Sequence, residues 1–143
     1  NKIVVNDAYY GNRTWQPGAI AVTNGCDGPL CIGDSVITSD NRDGTVVGYF
    51  NDGKLVVHDA YYGNRTWNQR SVAMTEACTA NFCSGDSVVT KDNRPGEIRA
   101  FFGNSQVVVY DAYYGNRTWS PASIAMTSAV CANIFVSRVG YCR

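Results

Sequence analysis

The sequence has a single histidine, His58, and only three lysines, Lys2, Lys54 and Lys91, in 143 residues. One histidine excludes a poly-histidine metal centre and leaves a Ser-His-Asp arrangement with one candidate base. Charged residues make up 17% of the chain, twelve basic against twelve acidic, for a formal net charge of zero. A general binder of nucleic acid or anionic membrane carries a basic surplus, which is missing here. No apolar run approaches the roughly eighteen residues of a membrane-spanning helix. No signal peptide is read at the start, and Asn1 in place of Met reads as a processed or trimmed end. Helix-period segments are missing too, while fourteen glycines and four prolines point to strands and turns.

What the chain does contain is a repeat. Asp-Ala-Tyr-Tyr-Gly-Asn-Arg-Thr-Trp occurs at residues 7–15, 59–67 and 111–119, a period of 52 in both intervals. Residues 31–75 and 83–127 align with 26 identities in 45 positions, and the nine-residue block supplies nine of them. The surroundings have diverged while the block has not, so the block carries a constraint of its own.

Each full copy reads as a row of short strands. Residues 33–38 and 85–90 open the two copies, followed by turns at 40–44 and 92–96, where Pro95-Gly96 suits the centre of a type II turn. Apolar strands follow at 45–50 and 97–102, then Val- and Tyr-rich strands at 54–62 and 106–114. Gly-Asn turns the chain, Arg-Thr-Trp starts the return strand, and the last strands lie at 71–75 and 123–127. Five short strands in this turn order predict a small barrel.

The pattern Gly-Asp-x-Val, turn, Gly-x-Val-x-x-Phe, Asn-Asp-Gly, Val-Val-x-Asp, Trp, Ile-Ala resembles SH3-like barrel repeats, including bacterial SH3-type and KOW- or Tudor-like modules. The resemblance covers residues 33–75 and 85–127 fully and residues 1–23 in the second half only. It implies an all-β tandem of SH3-like barrels, two full copies plus a half copy, with a β-trefoil as the alternative fold. Peptide, glycan, cell-wall and nucleic-acid binders share this architecture, so it implies fold more than ligand. The expected division is 1–25 as the second half of a unit, 26–77 and 78–130 as full units, and 131–143 as a tail. The half unit needs completion, either by that tail or by a neighbouring molecule in a homodimer.

The six cysteines fall in sequential pairs, Cys26 with Cys31, Cys78 with Cys83 and Cys131 with Cys142, each just after a unit's last strand. One pair per copy reads as a disulfide clip, since small barrels have little core. Zinc is the competing reading, but gaps of four residues without partner histidines fit it poorly. Disulfides imply a secreted, cell-surface or periplasmic protein.

If Gly11-Asn12 forms a two-residue hairpin turn, Ala8, Tyr10, Arg13 and Trp15 share one face of the hairpin. Asn6, His58 and Tyr110 occupy equivalent positions on that face, a variety unlike a packed core, so the face is expected to point outward. The candidate ligand-binding residues are Asp7, Tyr10, Asn12, Arg13 and Trp15, then Asp59, Tyr62, Asn64, Arg65 and Trp67, then Asp111, Tyr114, Asn116, Arg117 and Trp119. An aromatic wall beside an arginine and an amide matches the C–H faces and hydroxyl edges of sugar rings. Three weak sites in one chain gain by multivalency. The competing reading makes the tryptophans and tyrosines barrel core, with arginine stacked on them for rigidity.

Other signals are weaker. The block contains Asn-Arg-Thr at Asn12, Asn64 and Asn116, glycan acceptors if the protein passes through a eukaryotic secretory pathway. Asp40-Asn41-Arg42-Asp43-Gly44 looks faintly like a calcium loop, but its twin has Pro95 in place of Asp43. His58 is replaced by Asn6 and Tyr110 in the other copies, unlike a catalytic base. The expectation is therefore a multivalent carbohydrate binder of lectin or cell-wall-binding type, not an enzyme, with no cofactor and no metal. Its partners are glycans or cell-wall polysaccharide. The alternative is a protein-interaction module: an adhesin, inhibitor or assembly subunit.

Overall fold

A computed structural model describes residues 2–79 and 81–127. Cys131, Cys142 and the tail expected to complete the first half unit lie outside the described residues. Among the described residues the chain is all-β. The strands are β1 (Ile3–Asp7), β2 (Gly11–Trp15), β3 (Cys26–Asp27), β4 (Leu30–Cys31), β5 (Ser35–Thr38), β6 (Asp43–Tyr49) and β7 (Leu55–Asp59). They continue with β8 (Gly63–Trp67), β9 (Val72–Met74), β10 (Ser87–Thr90), β11 (Pro95–Phe101), β12 (Val107–Asp111), β13 (Gly115–Trp119) and β14 (Ile124–Met126). Three-residue 3₁₀ turns precede β9 and β14 and follow β2. Among the described residues no helix is long and apolar enough to cross a membrane.

The described residues divide into two compact units, one drawn from 1–34 and 44–69 and the other from 35–43 and 70–143. In the first, β6, β7 and β8 form an antiparallel meander, and β1 pairs with β2 as a separate hairpin. Val22 joins the edge of β6, exchanging backbone hydrogen bonds with Tyr49 at 2.8 and 2.9 Å. Leu30, Val46, Leu55 and Val57 are buried.

In the second unit the antiparallel order is β14-β10-β11-β12-β13, and β5 pairs with β9. These sheets are not closed into a barrel. Val107, Val108 and Val109 are all buried because β12 has apolar neighbours on both faces. Val107 and Val109 pack with Phe82, Val88, Ile98, Phe101 and Ile124, while Val108 packs with Ile37, Ala73, Ala100 and Phe102. Each fully buried valine contributes on the order of 1.5–3 kcal/mol of apolar transfer.

Irregularities in the strands recur 52 residues apart. Register shifts between Val46 and Gly48 in β6 and between Ile98 and Ala100 in β11 are bulges that bend both strands. Pro95-Gly96 is not the turn centre: both residues belong to β11, opposite Val89 and Val88. The turn runs one step earlier. The Asn93 N–H donates to the Thr90 carbonyl at 2.8 Å, and Asn93 takes a φ of 65°. The Thr90 hydroxyl bonds to Asp92, and the Thr38 hydroxyl bonds to Asp40, so these aspartates are local turn acceptors.

Disulfides join Cys26 to Cys31 and Cys78 to Cys83. A glycine and an aspartate follow each clip. Asp34 Oδ2 accepts the Cys31 N–H at 2.9 Å, and Asp86 Oδ2 accepts the Cys83 N–H at 2.8 Å. The Gly-Asp-Ser segment thus ties each clip to the strand that follows.

Candidate functional site

The repeated block folds into three hairpin tips with one register. In the second copy Asp59 faces Gly63, His58 faces Asn64, Val57 faces Arg65 and Leu55 faces Trp67, and the first and third copies match it position for position. The loop is therefore Ala-Tyr-Tyr, three residues long, and not Gly-Asn. Gly11, Gly63 and Gly115 have φ of 75°, 74° and 75°, which closes a three-residue loop into the return strand.

The aspartate selects this loop. Asp59 Oδ1 accepts the N–H groups of Tyr61 and Tyr62 at 2.9 and 2.7 Å, and Asp111 Oδ1 does the same for Tyr113 and Tyr114. Asp7 repeats it with Tyr9 and Tyr10 at 2.9 and 2.6 Å. An aspartate bonding backbone two and three residues ahead is an Asx-type turn, a local alternative to strand pairing.

The second carboxylate oxygen holds the arginine. Asp59–Arg65 and Asp111–Arg117 are both 3.1 Å, and Asp7–Arg13 is 3.5 Å. Each guanidinium then stacks between two rings, Arg65 at 4.2 Å from Tyr62 and 4.8 Å from Trp67, with Arg13 and Arg117 alike. The three aspartates are held below the usual carboxylate range. The N–H of Tyr10, Tyr62 or Tyr114 is the leading cause; burial opposes it, and the adjacent N–H and the arginine add to it.

This geometry reverses the expected faces. Cross-strand partners share a face, so Arg65 and Trp67 lie with the buried Val57 and Leu55, and Trp119 packs against the core that contains Val107 and Val109. The outward face carries His58 with Asn64, and Tyr110 with Asn116; His58 Nδ1 lies 3.0 Å from Asn64 Oδ1. Trp15, Trp67 and Trp119 are half-buried. The arginines and aspartates brace the tip from below. The expected aromatic wall of tryptophan is thus not the outer surface of the tip.

What the tips do present is a pair of tyrosines. The rings meet edge to face at 4.7, 4.6 and 4.6 Å. Tyr9, Tyr61 and Tyr113 are 86%, 70% and 70% exposed, and Tyr10, Tyr62 and Tyr114 are 63%, 52% and 52% exposed. The first tyrosine of each pair, absent from the candidates above, is the most exposed aromatic of its tip. The aspartate ahead of Ala-Tyr-Tyr-Gly is a signal for the three-residue loop that leaves both tyrosines outside, but it does not by itself exclude a Gly-Asn turn.

A further brace in the second unit had no strong signal. Arg94 stacks over Tyr113 at 4.3 Å and Tyr114 at 5.2 Å, and Asp92 meets Arg117 at 3.0 Å. The β10–β11 turn thereby supports the third tip from the side. No group of three or more metal-ligating side chains gathers among the described residues. Compared with known proteins, the chain matches no family model and no curated protein.

Proposed function

We propose that the chain is a multivalent carbohydrate-binding protein built of tandem SH3-like modules, each tip presenting one tyrosine pair to a sugar. One observation carries this reading: the same edge-to-face pair, more than half exposed, recurs three times on the same Asp–Arg clamp. A tyrosine offers an apolar ring face for sugar C–H groups and a hydroxyl for a sugar oxygen. Because the clamp holds the rings before any ligand arrives, little side-chain freedom is lost on binding. Asn12 and Asn64 add an exposed amide one residue beyond the glycine of the first two tips. The arginines are already paired and act as supports.

The reading is one of binding without catalysis, on glycans or cell-wall polysaccharide, outside a reducing compartment. The disulfides support that location. The open five-strand order of the second unit and the sequence pattern support the SH3-like assignment. The zero net charge speaks against nucleic acid.

A glycan array that includes peptidoglycan fragments, probed with the oxidised protein, tests the proposal. Hits on clustered glycans that disappear in the Tyr61→Ala, Tyr113→Ala variant support it. A blank array with folded protein overturns it. Binding to a protein surface, lost on protease treatment of the target and not on sugar competition, assigns the tips to protein recognition, which exposed tyrosines also serve.

A further inference from the structure

Two clefts in the second unit share three lining positions across the 52-residue repeat. One, of about 280 Å³, is lined by Ser39, Arg70, Ser71, Asn104, Gln106 and Thr118. The other, of about 270 Å³, is lined by Thr90, Lys91, Asn93 and Ser123, with apolar residues of β10 and β14 beneath. Ser71 and Ser123 are 52 residues apart, as are Ser39 and Lys91, and Arg70 and Ala122. Each cleft therefore has one cation, but from opposite walls. Where the first has serine at 39 and arginine at 70, the second has lysine at 91 and alanine at 122.

The chemistry of the linings agrees. No carboxylate lines either cleft, and hydroxyl-bearing residues line both beside the cation-bearing one. The Ser39 N–H donates to the Ser71 carbonyl at 2.9 Å, which joins the two walls of the first cleft. Among the described residues neither Arg70 nor Lys91 makes an ion pair, whereas Arg13, Arg65, Arg99 and Arg117 all do. The block arginines, whose charge an aspartate already offsets, are poor receivers for an anion. Arg70 and Lys91 have that capacity intact.

We propose that these clefts are anion subsites, and that the polysaccharide recognised is acidic, with carboxylate or sulfate groups seated at Arg70 and Lys91. The proposal rests on the carbohydrate reading above and names the class of sugar. A guanidinium or ammonium takes the charge, and the neighbouring hydroxyl and amide groups donate to the remaining oxygens. Two subsites on one chain read charge along a polymer, with affinity gained by multivalency.

The test compares polygalacturonate, dextran sulfate and neutral dextran as probes of the full oxidised chain at low and high salt. The expected result is preference for a polyanion over neutral dextran, weakened by salt. Arg70→Gln and Lys91→Gln should each lower polyanion affinity about threefold to fivefold, as removal of an exposed charge pair does, and together about tenfold. Arg70→Lys and Lys91→Arg should retain it. Preference for polygalacturonate identifies carboxylate as the seated group, and preference for dextran sulfate identifies sulfate. A double glutamine variant with wild-type polyanion affinity, or a wild type with no preference for polyanions, overturns the proposal. The Tyr61→Ala, Tyr113→Ala variant reports on the tips separately. If tyrosine loss changes nothing while polyanion binding still needs Arg70 and Lys91, the tip reading falls and the clefts stand.

Discussion

Asp111 and Arg117 close the third hairpin tip across six residues, with carboxylate Oδ2 3.1 Å from guanidinium Nη2. Oδ1 of the same carboxylate takes two loop N–H groups, so one side chain sets both the loop length and the arginine's position. Asp111 is 2% exposed, and its arginine partner is stacked between Tyr114 and Trp119. The clamp is local to the tip, and the β10–β11 turn adds a brace from the side.

Acid should loosen the tips. A carboxylate held below its ordinary value of 3.8 stabilises the fold fully above that value, and the contribution is lost as pH falls through the lower folded value. The thermal midpoint should be level well above 3.8 and fall as pH drops below it. Asp59→Asn with Asp111→Asn should lower the midpoint at neutral pH and flatten that acid limb. A double variant with the wild-type acid limb contradicts the clamp.

Gly96 lies where β11 meets β12. A Cβ added there would stand 2.7 Å from Val109 Cγ1 and 2.8 Å from the Tyr110 carbonyl oxygen. Gly96→Ala should cost about 1–3 kcal/mol, as overpacking does. Gly103→Ala, with no atom within 4 Å, should stay within about 0.5 kcal/mol. Urea unfolding of both variants measures the difference.

Removal of one clip is a separate loss. Cys78 and Cys83 are five residues apart, so Cys78→Ser with Cys83→Ser should cost about 2 kcal/mol on the loop-entropy account. Urea unfolding of the double serine variant gives the value. No loss of stability would mean that the Gly-Asp-Ser contacts hold that turn by themselves.

The three tips should not be equally firm. In the first, Arg13 and Asp7 side chains are 43% and 37% exposed; in the third, Arg117 and Asp111 are 28% and 2% exposed. The third also has Arg94 over Tyr113 and Asp92 beside Arg117. Native-state hydrogen exchange should show the Tyr9 and Tyr10 amides exchanging faster than those of Tyr113 and Tyr114. Equal protection would make the side brace irrelevant.

Much of this molecule was legible residue by residue. The strands 3–7, 55–59 and 107–111 follow from β-branched runs ahead of a turn-forming block. Sequential cysteine pairing was readable because five residues separate the partners. The face of the hairpin was not. A two-residue Gly-Asn turn and a three-residue Ala-Tyr-Tyr loop are both compatible with the composition, and a one-residue change in register exchanges every side chain between faces. The variety of Asn6, His58 and Tyr110 did mark an exposed face, but that register places Arg65 and Trp67 on the other one.

Local chemistry, then, settled what neighbours along the chain can settle: the repeat, the all-β class, the clips and the presence of a tip. Those features depend on backbone preferences and short loops, which act within a few residues. Tertiary structure alone decided that tryptophan and arginine turn inward, that paired tyrosines are left outside, and that Arg70 and Lys91 each line a cleft. Burial and cross-strand register depend on residues tens of positions apart, and only the folded chain brings those together.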